Sequence, residues 1–229
     1  MLDLLWGAEE IDCRDRAVTE FTVSPVPIQR IAAFVEKWHY SSNVNGITQA
    51  ECFGLFCDGE LIGAMIYGKV GMANAWKPYG DSDQEVIELR RLCCIDNTPK
   101  CTESYFIGKT LRWLKQNSKY QTVVSYADAF HDHSGIIYQA TNFLYLGTTP
   151  KGKVIMYNGR QYHDKTIRTY YTNKYGEKNL KPFAQRIKTA LDTGEAKYVI
   201  TPGKHIYVYP LQKRMRKRFL SKVVAHPEN

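Results

Sequence analysis

The run Glu51-Cys52-Phe53-Gly54-Leu55-Phe56-Cys57-Asp58-Gly59-Glu60-Leu61-Ile62-Gly63-Ala64-Met65-Ile66-Tyr67 reads as a β-hairpin. Two β-rich stretches, Cys52–Cys57 and Leu61–Tyr67, flank Asp58-Gly59, a dipeptide that suits the positive φ values of a tight turn. Gly63 and Gly68 permit close approach of another backbone. Upstream, Ser24-Pro25 reads as a helix start, with a capping hydroxyl and a proline in the first turn. Ile28, Ile31, Ala32 and Val35 then recur at helical spacing. That helix is predicted to end near Trp38 and to leave His39-Tyr40-Ser41-Ser42 in a polar loop.

Downstream, a loop over residues 71–82 leads to a predicted strand, Glu85–Ile95, which Asp96-Asn97-Thr98-Pro99 breaks. A helix follows over Thr102–Gln116, with Phe106, Ile107, Thr110, Leu111 and Leu114 as its buried stripe. Thr122–Tyr126 is a short strand of buried type. A short helix then carries Tyr138, with Ser134 as its expected N-cap and Asn142 as its left-handed terminator. Phe143–Tyr145 and Val154–Tyr157 read as the last strands of this unit. The order helix, hairpin, strand, helix, strand, helix, strands fits an α/β fold, a mixed sheet with helices on both faces. Ligands on such sheets sit where neighbouring strands diverge.

Past residue 176 the character changes. Leu180–Leu191 is predicted as a helix with Phe183, Ile187 and Leu191 on one face, stopped by Gly194. Lys197–Thr201 and His205–Leu211 read as a second hairpin around Pro202-Gly203, and the basic run Lys213-Arg214-Met215-Arg216-Lys217-Arg218 follows. The expected organisation is a main domain over residues 1–175 and a basic helix-hairpin extension over residues 176–229.

Composition narrows the function classes. The chain has 229 residues, 44% of them hydrophobic, enough to bury a substantial core. It contains no 18-residue apolar stretch, which argues against a membrane-spanning helix. Met1-Leu2-Asp3-Leu4-Leu5-Trp6 runs into Glu9 and Glu10 without a basic segment or a long apolar one, so it does not read as a signal peptide. A cytoplasmic protein is expected. The six cysteines, Cys13, Cys52, Cys57, Cys93, Cys94 and Cys101, form no C-x-x-C pair and are read as buried, reduced thiols, with Cys93 and Cys94 on opposite faces of a strand.

The net charge of +8 is unevenly spread. Residues 1–150 carry 13 Lys/Arg against 18 Asp/Glu, whereas residues 151–229 carry 18 against 5. A concentrated cationic segment suits a polyanionic partner. Tyr157, Tyr162, Tyr170, Tyr171 and Tyr175 lie among Lys151, Lys153, Arg160, Lys165, Arg168 and Lys174. Cations of this kind hold phosphates, and aromatic faces stack on exposed bases. A soluble basic surface is the plainer reading of the same residues.

Several residue types could carry chemistry. Asp128 closes the strand Ser125-Tyr126-Ala127, where a carboxylate can take a proton from an amine, or simply cap a turn. Ser104 and Tyr105 open a helix whose free N–H groups can hold an anion or a developing oxyanion. Glu88 and Arg90 share one strand face, with Arg91 opposite; an arginine there must be paired or bind an anion. His39 lies at a helix end beside Tyr40 and can act as acid or base. The Tyr138 hydroxyl can protonate a leaving group or rest satisfied in the core. His131 and His133 flank Asp132, but no third metal ligand is evident, so no metal site is expected.

Taken together, these segments resemble a known family. The stretch from Cys52 to Tyr157 resembles the GNAT fold, on its hairpin, strand, helix, and Ser134-Gly135-Ile136-Ile137-Tyr138-Gln139-Ala140-Thr141-Asn142-Phe143. Within that fold it resembles the Mom family of phage proteins. The matching segments are His39-Tyr40-Ser41, Phe53-Gly54-Leu55-Phe56, Glu88-Leu89-Arg90-Arg91-Leu92, Lys100 through Ile107, Ser125-Tyr126-Ala127-Asp128 and Tyr138 through Tyr145. The resemblance implies a transferase that converts the exocyclic N6 of adenine in DNA to a carbamoylmethyl amine and shields a phage genome from restriction enzymes. It implies catalytic roles for His39, Tyr40, Ser104, Asp128 and Tyr138, and a donor-side role for Arg90, to which Arg91, Lys100, Tyr105 and Gln139 are added as neighbours. Double-stranded DNA with a flipped adenine is the implied partner, in the cytoplasm of a host cell. Lys151, Lys153, Arg160, Arg168, Lys213, Arg214, Arg216, Lys217 and Arg218 are the expected DNA contacts. The chain departs from acetyl-CoA enzymes at Lys100-Cys101-Thr102-Glu103-Ser104-Tyr105, which lacks the glycines that admit a pyrophosphate. The group donor and the oligomeric state stay open, a dimer among the options. A conventional N-acetyltransferase and a non-catalytic DNA-binding protein stand as alternatives.

Overall fold

A computed structural model describes residues 11–131 and 133–227. The N-terminal run read against a signal peptide lies outside the described residues, as does Asp132. In chain order the elements are β1 (Thr22–Pro25), α1 (Ile28–Trp38), β2 (Glu51–Cys57), β3 (Glu60–Gly68), β4 (Val86–Cys94), α2 (Thr102–Asn117), β5 (Thr122–Ala127), α3 (Ile136–Ala140) and β6 (Leu144–Thr148). They continue with β7 (Gly152–Tyr157), β8 (Arg160–His163), β9 (Tyr170–Thr172), β10 (Lys178–Leu180), α4 (Pro182–Asp192), β11 (Lys197–Thr201), β12 (His205–Pro210) and α5 (Lys213–Leu220).

The chain divides into two compact units. The first comprises residues up to Ala127, Ser134–Gly147 and His205 onward; the second comprises Asp128–His133 and Thr148–Lys204. The division expected at residue 175 is therefore not where the units part. Apart from Asp128–His133, the second unit occupies the chain between β6 and β12, and β12 returns to the first.

In the first unit, among the described residues, seven strands form one sheet in the order β1-β2-β3-β4-β5-β12-β6. The β2–β3 hairpin turns at Asp58 and Gly59, both at positive φ as the dipeptide demands. Neighbours pair antiparallel in β1–β2, β2–β3, β3–β4 and β12–β5, whereas β4 and β5 are parallel and joined by α2. This is the mixed, mostly antiparallel sheet that the GNAT resemblance implied. Alternate residues of the central strands feed two cores: Ile87, Val123 and Tyr207 join Phe106 and Ile107 of α2, while Val86, Val124 and Val208 join Met215 and Phe219 of α5. Period-2 alternation thus places helices on both faces.

The second unit is smaller. β11, β7 and β8 form an antiparallel sheet, β9 and β10 a two-stranded ribbon, and Ile187 and Ala190 of α4 pack with Ile155 and Ala196. Among the described residues no helix is long and apolar enough to cross a membrane.

Several expectations are corrected. Ser24-Pro25 ends strand β1 instead of starting a helix: Val23 to Pro25 pair with Leu55 to Phe53, and α1 begins at Ile28 behind Pro27. Edge-strand pairing overrides the capping signal, since Pro is tolerated on an edge. The second hairpin does not exist; β11 pairs with β7, and β12 with β5. Val154–Tyr157 belongs to the smaller sheet. Gly135, not Ser134, caps α3, and α4 buries Ala184, Ile187 and Ala190 while Phe183 is exposed. Cys101 is exposed, unlike the buried Cys13, Cys52, Cys57 and Cys93.

Candidate active site

The parallel pairing of β4 with β5 runs from Val86 opposite Thr122 to Leu89 opposite Ser125. β4 continues to Cys94 and β5 to Ala127, so the strands part beyond Leu89 and Ser125. At the parting point the Ser125 hydroxyl donates to the Leu89 carbonyl at 3.2 Å, joining the strands where their ladder stops. Sheets of this kind open a ligand crevice at such a point.

Arg90 is the first β4 residue past it, and it sits in a β-bulge. Ile66 of β3 faces Arg91 and Tyr67 faces Leu89, so Arg90 has no partner across the ladder. A bulge adds twist and re-aims a side chain. The Arg90 guanidinium donates to the Lys69 carbonyl and to Glu88 Oε2, each at 3.3 Å. Glu88 Oε2 also accepts the Gly71 N–H at 3.0 Å. A Cβ at Gly71 would stand 2.5 Å from Arg90 Nη1, so the bare glycine is what lets this loop reach the pair. The Arg90 and Glu88 side chains are 17% and 14% exposed, enough removed from water that breaking the pair strands a charge.

Arg91 donates through Nε to the Asn43 carbonyl at 3.0 Å and through Nη1 to the Arg90 carbonyl at 2.8 Å. Burial, followed by the like charge of Arg90, pushes its pKa below the ordinary arginine value; Tyr40 and Glu88 oppose this.

Tyr138 comes from α3. Gly135 starts that helix at φ +84, and a Cβ there would lie 2.3 Å from the Tyr207 ring. Tyr207 Oη donates to the Ser134 carbonyl at 2.5 Å and accepts from Gln139 Nε2 at 3.4 Å, which fixes the turn. The Tyr138 ring packs on Phe143 and Tyr207, with centroids 5.3 and 5.2 Å away. Burial pushes the Tyr138 hydroxyl up to about 12, with Ser125 as a hydrogen-bond partner opposing the shift and Tyr40, Glu88 and Tyr207 adding to it. At neutral pH Tyr138 is therefore a protonated phenol, suited to donate.

His39 caps α1, its N–H bonded to the Val35 carbonyl at 3.0 Å. The sequence placed it in a polar loop; it is instead buried. The Ser41 N–H donates to its Nδ1 at 3.1 Å, and the Ser41 hydroxyl lies 2.9 Å from the same atom. An accepting Nδ1 selects the tautomer with hydrogen on Nε2. The exposed Tyr40 ring stacks on His39 at 4.4 Å and 30°.

The end of α1, β4, β5 and α3 thus bring Tyr40, Glu88, Arg90, Arg91, Ser125 and Tyr138 together. Other predicted residues are employed elsewhere. The Ser104 hydroxyl donates to the Cys101 carbonyl at 2.9 Å, and Tyr105 Oη donates to the Phe21 carbonyl at 3.1 Å, anchoring the chain just before β1. Lys100 is exposed. Among the described residues no hydrogen bond or ion pair joins these three to Arg90 or Tyr138. Gln139 holds Tyr207. Asp128 belongs to the second unit, where Lys204 Nζ lies 2.7 Å from its Oδ2 and the Phe130 N–H donates to Oδ1 at 3.1 Å.

The basic residues divide. Lys151, Lys153, Arg160 and Arg168 are exposed in the second unit, with Lys153 Nζ 3.5 Å from the Tyr198 ring centroid and Arg168 paired with Asp164 at 2.6 Å. The basic run forms helix α5. Arg214 pairs with Asp81 and Glu85, and Arg218 with Asp81 at 2.6 Å, while Lys213, Arg216 and Lys217 are exposed. Sequence reasoning missed Ser125 as a hydroxyl of the site, and also Gly71 and Tyr207. A serine inside the buried run Val123-Val124-Ser125 was the one available signal.

The family model of the Mom protein family matches residues 20–228. The methylcarbamoylase mom of Escherichia phage Mu is 24% identical over 215 residues, covering 91% of this chain and 84% of that protein. Solved structures that are similar include the ribosomal-protein-S18-alanine N-acetyltransferase of Escherichia coli, at 13% identity and a TM-score of 0.44, covering 84% of this chain and 94% of that one. An N-acetyltransferase of Staphylococcus aureus Mu50 matches at 12% identity and a TM-score of 0.44, covering 83% and 97%.

Proposed function

This chain belongs to the Mom protein family, and from that premise we propose that it is a transferase that modifies DNA, converting adenine N6 to a carbamoylmethyl amine and protecting the DNA from restriction enzymes. The observation that carries the reading is the parting of β4 and β5 beside a bulged, paired Arg90 and a protonated Tyr138. Adenine N6 is out of reach within the stack, so the base is flipped out of the duplex. Phosphates are held by the exposed cations of the second unit, Lys151, Lys153, Arg160 and Arg168, and by Lys213, Arg216 and Lys217 of α5.

In this reading a carboxylate, the role that the family resemblance gives to Asp128, accepts the N6 proton as the new N–C bond forms to the donor carbon, and the departing group is protonated by a phenol, the role it gives to Tyr138. Arg90 orients the donor from its bulge, its own charge balanced by Glu88. His39 holds Tyr40 by stacking, and Tyr40 lines the entry. Ser104 and the free N–H groups of the first turn of α2 steady the reacting carbonyl. The test is nucleoside mass spectrometry of plasmid DNA from cells expressing the protein, beside an Asp128→Ala control. A modified adenine of the carbamoylmethyl mass, absent from the control, supports the reading. Unmodified DNA with the wild-type protein contradicts it.

A further inference from the structure

A row of rings leads away from Tyr138 across the sheet. Tyr138 packs on Tyr207 of β12 at 5.2 Å, and Tyr207 packs on Tyr145 of β6 at 5.1 Å. Tyr207 faces the same side as Ser125, its register partner on β5, so the row starts at the parting point of β4 and β5. Its outer rings are covered by one flat heterocycle of the chain's own C-terminal segment. The His226 ring lies parallel to Tyr145, 23° off at 5.7 Å, and to Tyr207, 16° off at 6.2 Å.

His226 itself is exposed, whereas the two tyrosines beneath it are buried. Among the described residues, the segment that carries it is held by few contacts: the Val224 N–H donates to the Tyr145 carbonyl at 3.1 Å, and Val223 and Val224 are solvent-exposed. The tyrosines, by contrast, are fixed. Tyr145 Oη lies 2.8 Å from His205 Nδ1, and Tyr207 Oη is bound to the Ser134 carbonyl. A rigid two-ring floor under a loosely held imidazole is a seat whose occupant can be exchanged.

We infer that the Tyr145–Tyr207 floor is a stacking seat for the target nucleobase, and that His226 occupies it in the free protein. The seat rests on the reading that the substrate is a base extruded from DNA. It specifies where that base lies: on a floor one ring away from Tyr138. A purine ring is planar like imidazole and larger, so it gains more stacking area on the same floor. Because apparent affinity scales with the fraction of protein whose seat is open, His226 weakens base binding until it is displaced.

The probe is 2′-deoxyadenosine, titrated into the full chain and followed by NMR through the adenine H2 and H8 resonances, which move upfield over a tyrosine face. Removing the cover in His226→Ala is expected to tighten binding by about threefold to tenfold. Tyr145→Phe keeps the ring but loses the His205 anchor and is expected to bind within about threefold of the wild type, whereas Tyr145→Leu is expected to bind about tenfold more weakly. A circular dichroism spectrum and melting curve matching the wild type qualify Tyr145→Leu, and Tyr145→Phe serves in its own right if it does not. Unchanged or weaker binding in His226→Ala overturns the exchange. Loss of binding in Tyr145→Phe, or absence of the upfield shift, overturns the seat. DNA modification is measured separately: modified DNA without a seat sinks this inference alone, and a seat without modified DNA sinks the proposed chemistry alone.

Discussion

In the first unit the charges nearest the sheet are drawn inward: Arg90 and Glu88 pair at 3.3 Å in the bulge of β4, and Arg91 is spent on two backbone carbonyls. In the second unit Lys151, Lys153 and Arg160 face outward over a core built around Ile155, Ile187, Ala190 and Ala196, while Asp128 is held inward by Lys204 at 2.7 Å. In the proposed reading the difference suits two tasks. An inward pair is costly to desolvate and holds one geometry, which suits positioning a reacting group. Outward cations cost little and attract at long range, which suits holding a phosphate backbone. The chain order agrees with this division, because most of the second unit, Thr148–Lys204, lies between β6 and β12, two neighbours in the first unit's sheet.

The two cores are expected to respond differently to truncation. Phe106→Ala, at a fully buried position of the first unit, is expected to cost about 3–5 kcal/mol in urea unfolding. Ile187→Ala in the smaller core is expected to cost about 2–3 kcal/mol and to leave the first unit's near-ultraviolet signal in place. One shared, equal loss would show that the units do not differ in this way. Next in size is Arg90→Lys, which keeps the charge but not the planar fork; modification is expected to fall about tenfold or more with unfolding little changed. Lys151, Lys153 and Arg160 changed together to Gln are expected to lower the slope of log affinity for DNA against log salt by about 0.9 for each cation that meets a phosphate. If the slope stays as it was, the second unit is not the phosphate surface. The smallest effect is reserved for Arg214→Ala. Its pairs with Asp81 and Glu85 are surface pairs, so the unfolding midpoint is expected to stay within error.

The alkaline limb offers a pH test. The folded-state pKa of Tyr138 is raised to about 12. The stability it contributes is full below the unfolded tyrosine value and is lost as pH rises through the folded one. Tyr138→Phe is therefore expected to flatten the fall in stability above pH ~10, measured as urea midpoint against pH. Tyr67 and Tyr126, also pushed up by burial, keep part of that slope in the variant.

Local chemistry carried much of the sequence reading. Asp58-Gly59, the stripe Phe106 to Leu114, and Asn142 at φ +62 are each decided within a few residues, and each was legible. Partner choice was not. Nothing in Lys197–Thr201 or His205–Pro210 says that they pair with β7 and β5 and not with each other, because that is settled by distant apolar faces. Ser24-Pro25 carried a sound capping signal that a neighbouring strand outweighed. At the candidate site, Arg90 and Tyr138 were singled out by residue type and order. The bulge that aims Arg90, the bare Gly71 beside it and the Tyr207 brace depend on contacts between remote segments, which no local pattern records.

The most direct test of the account is quantitative nucleoside mass spectrometry on DNA from cells expressing Tyr138→Phe beside the wild type, at matched protein levels. Phe fills the same space on Phe143 and Tyr207, so the ring packing is kept while the hydroxyl and its hydrogen bond with Ser125 are removed. The account predicts that modified adenine falls by about 100-fold or more. Wild-type levels of modified adenine with Tyr138→Phe would contradict it.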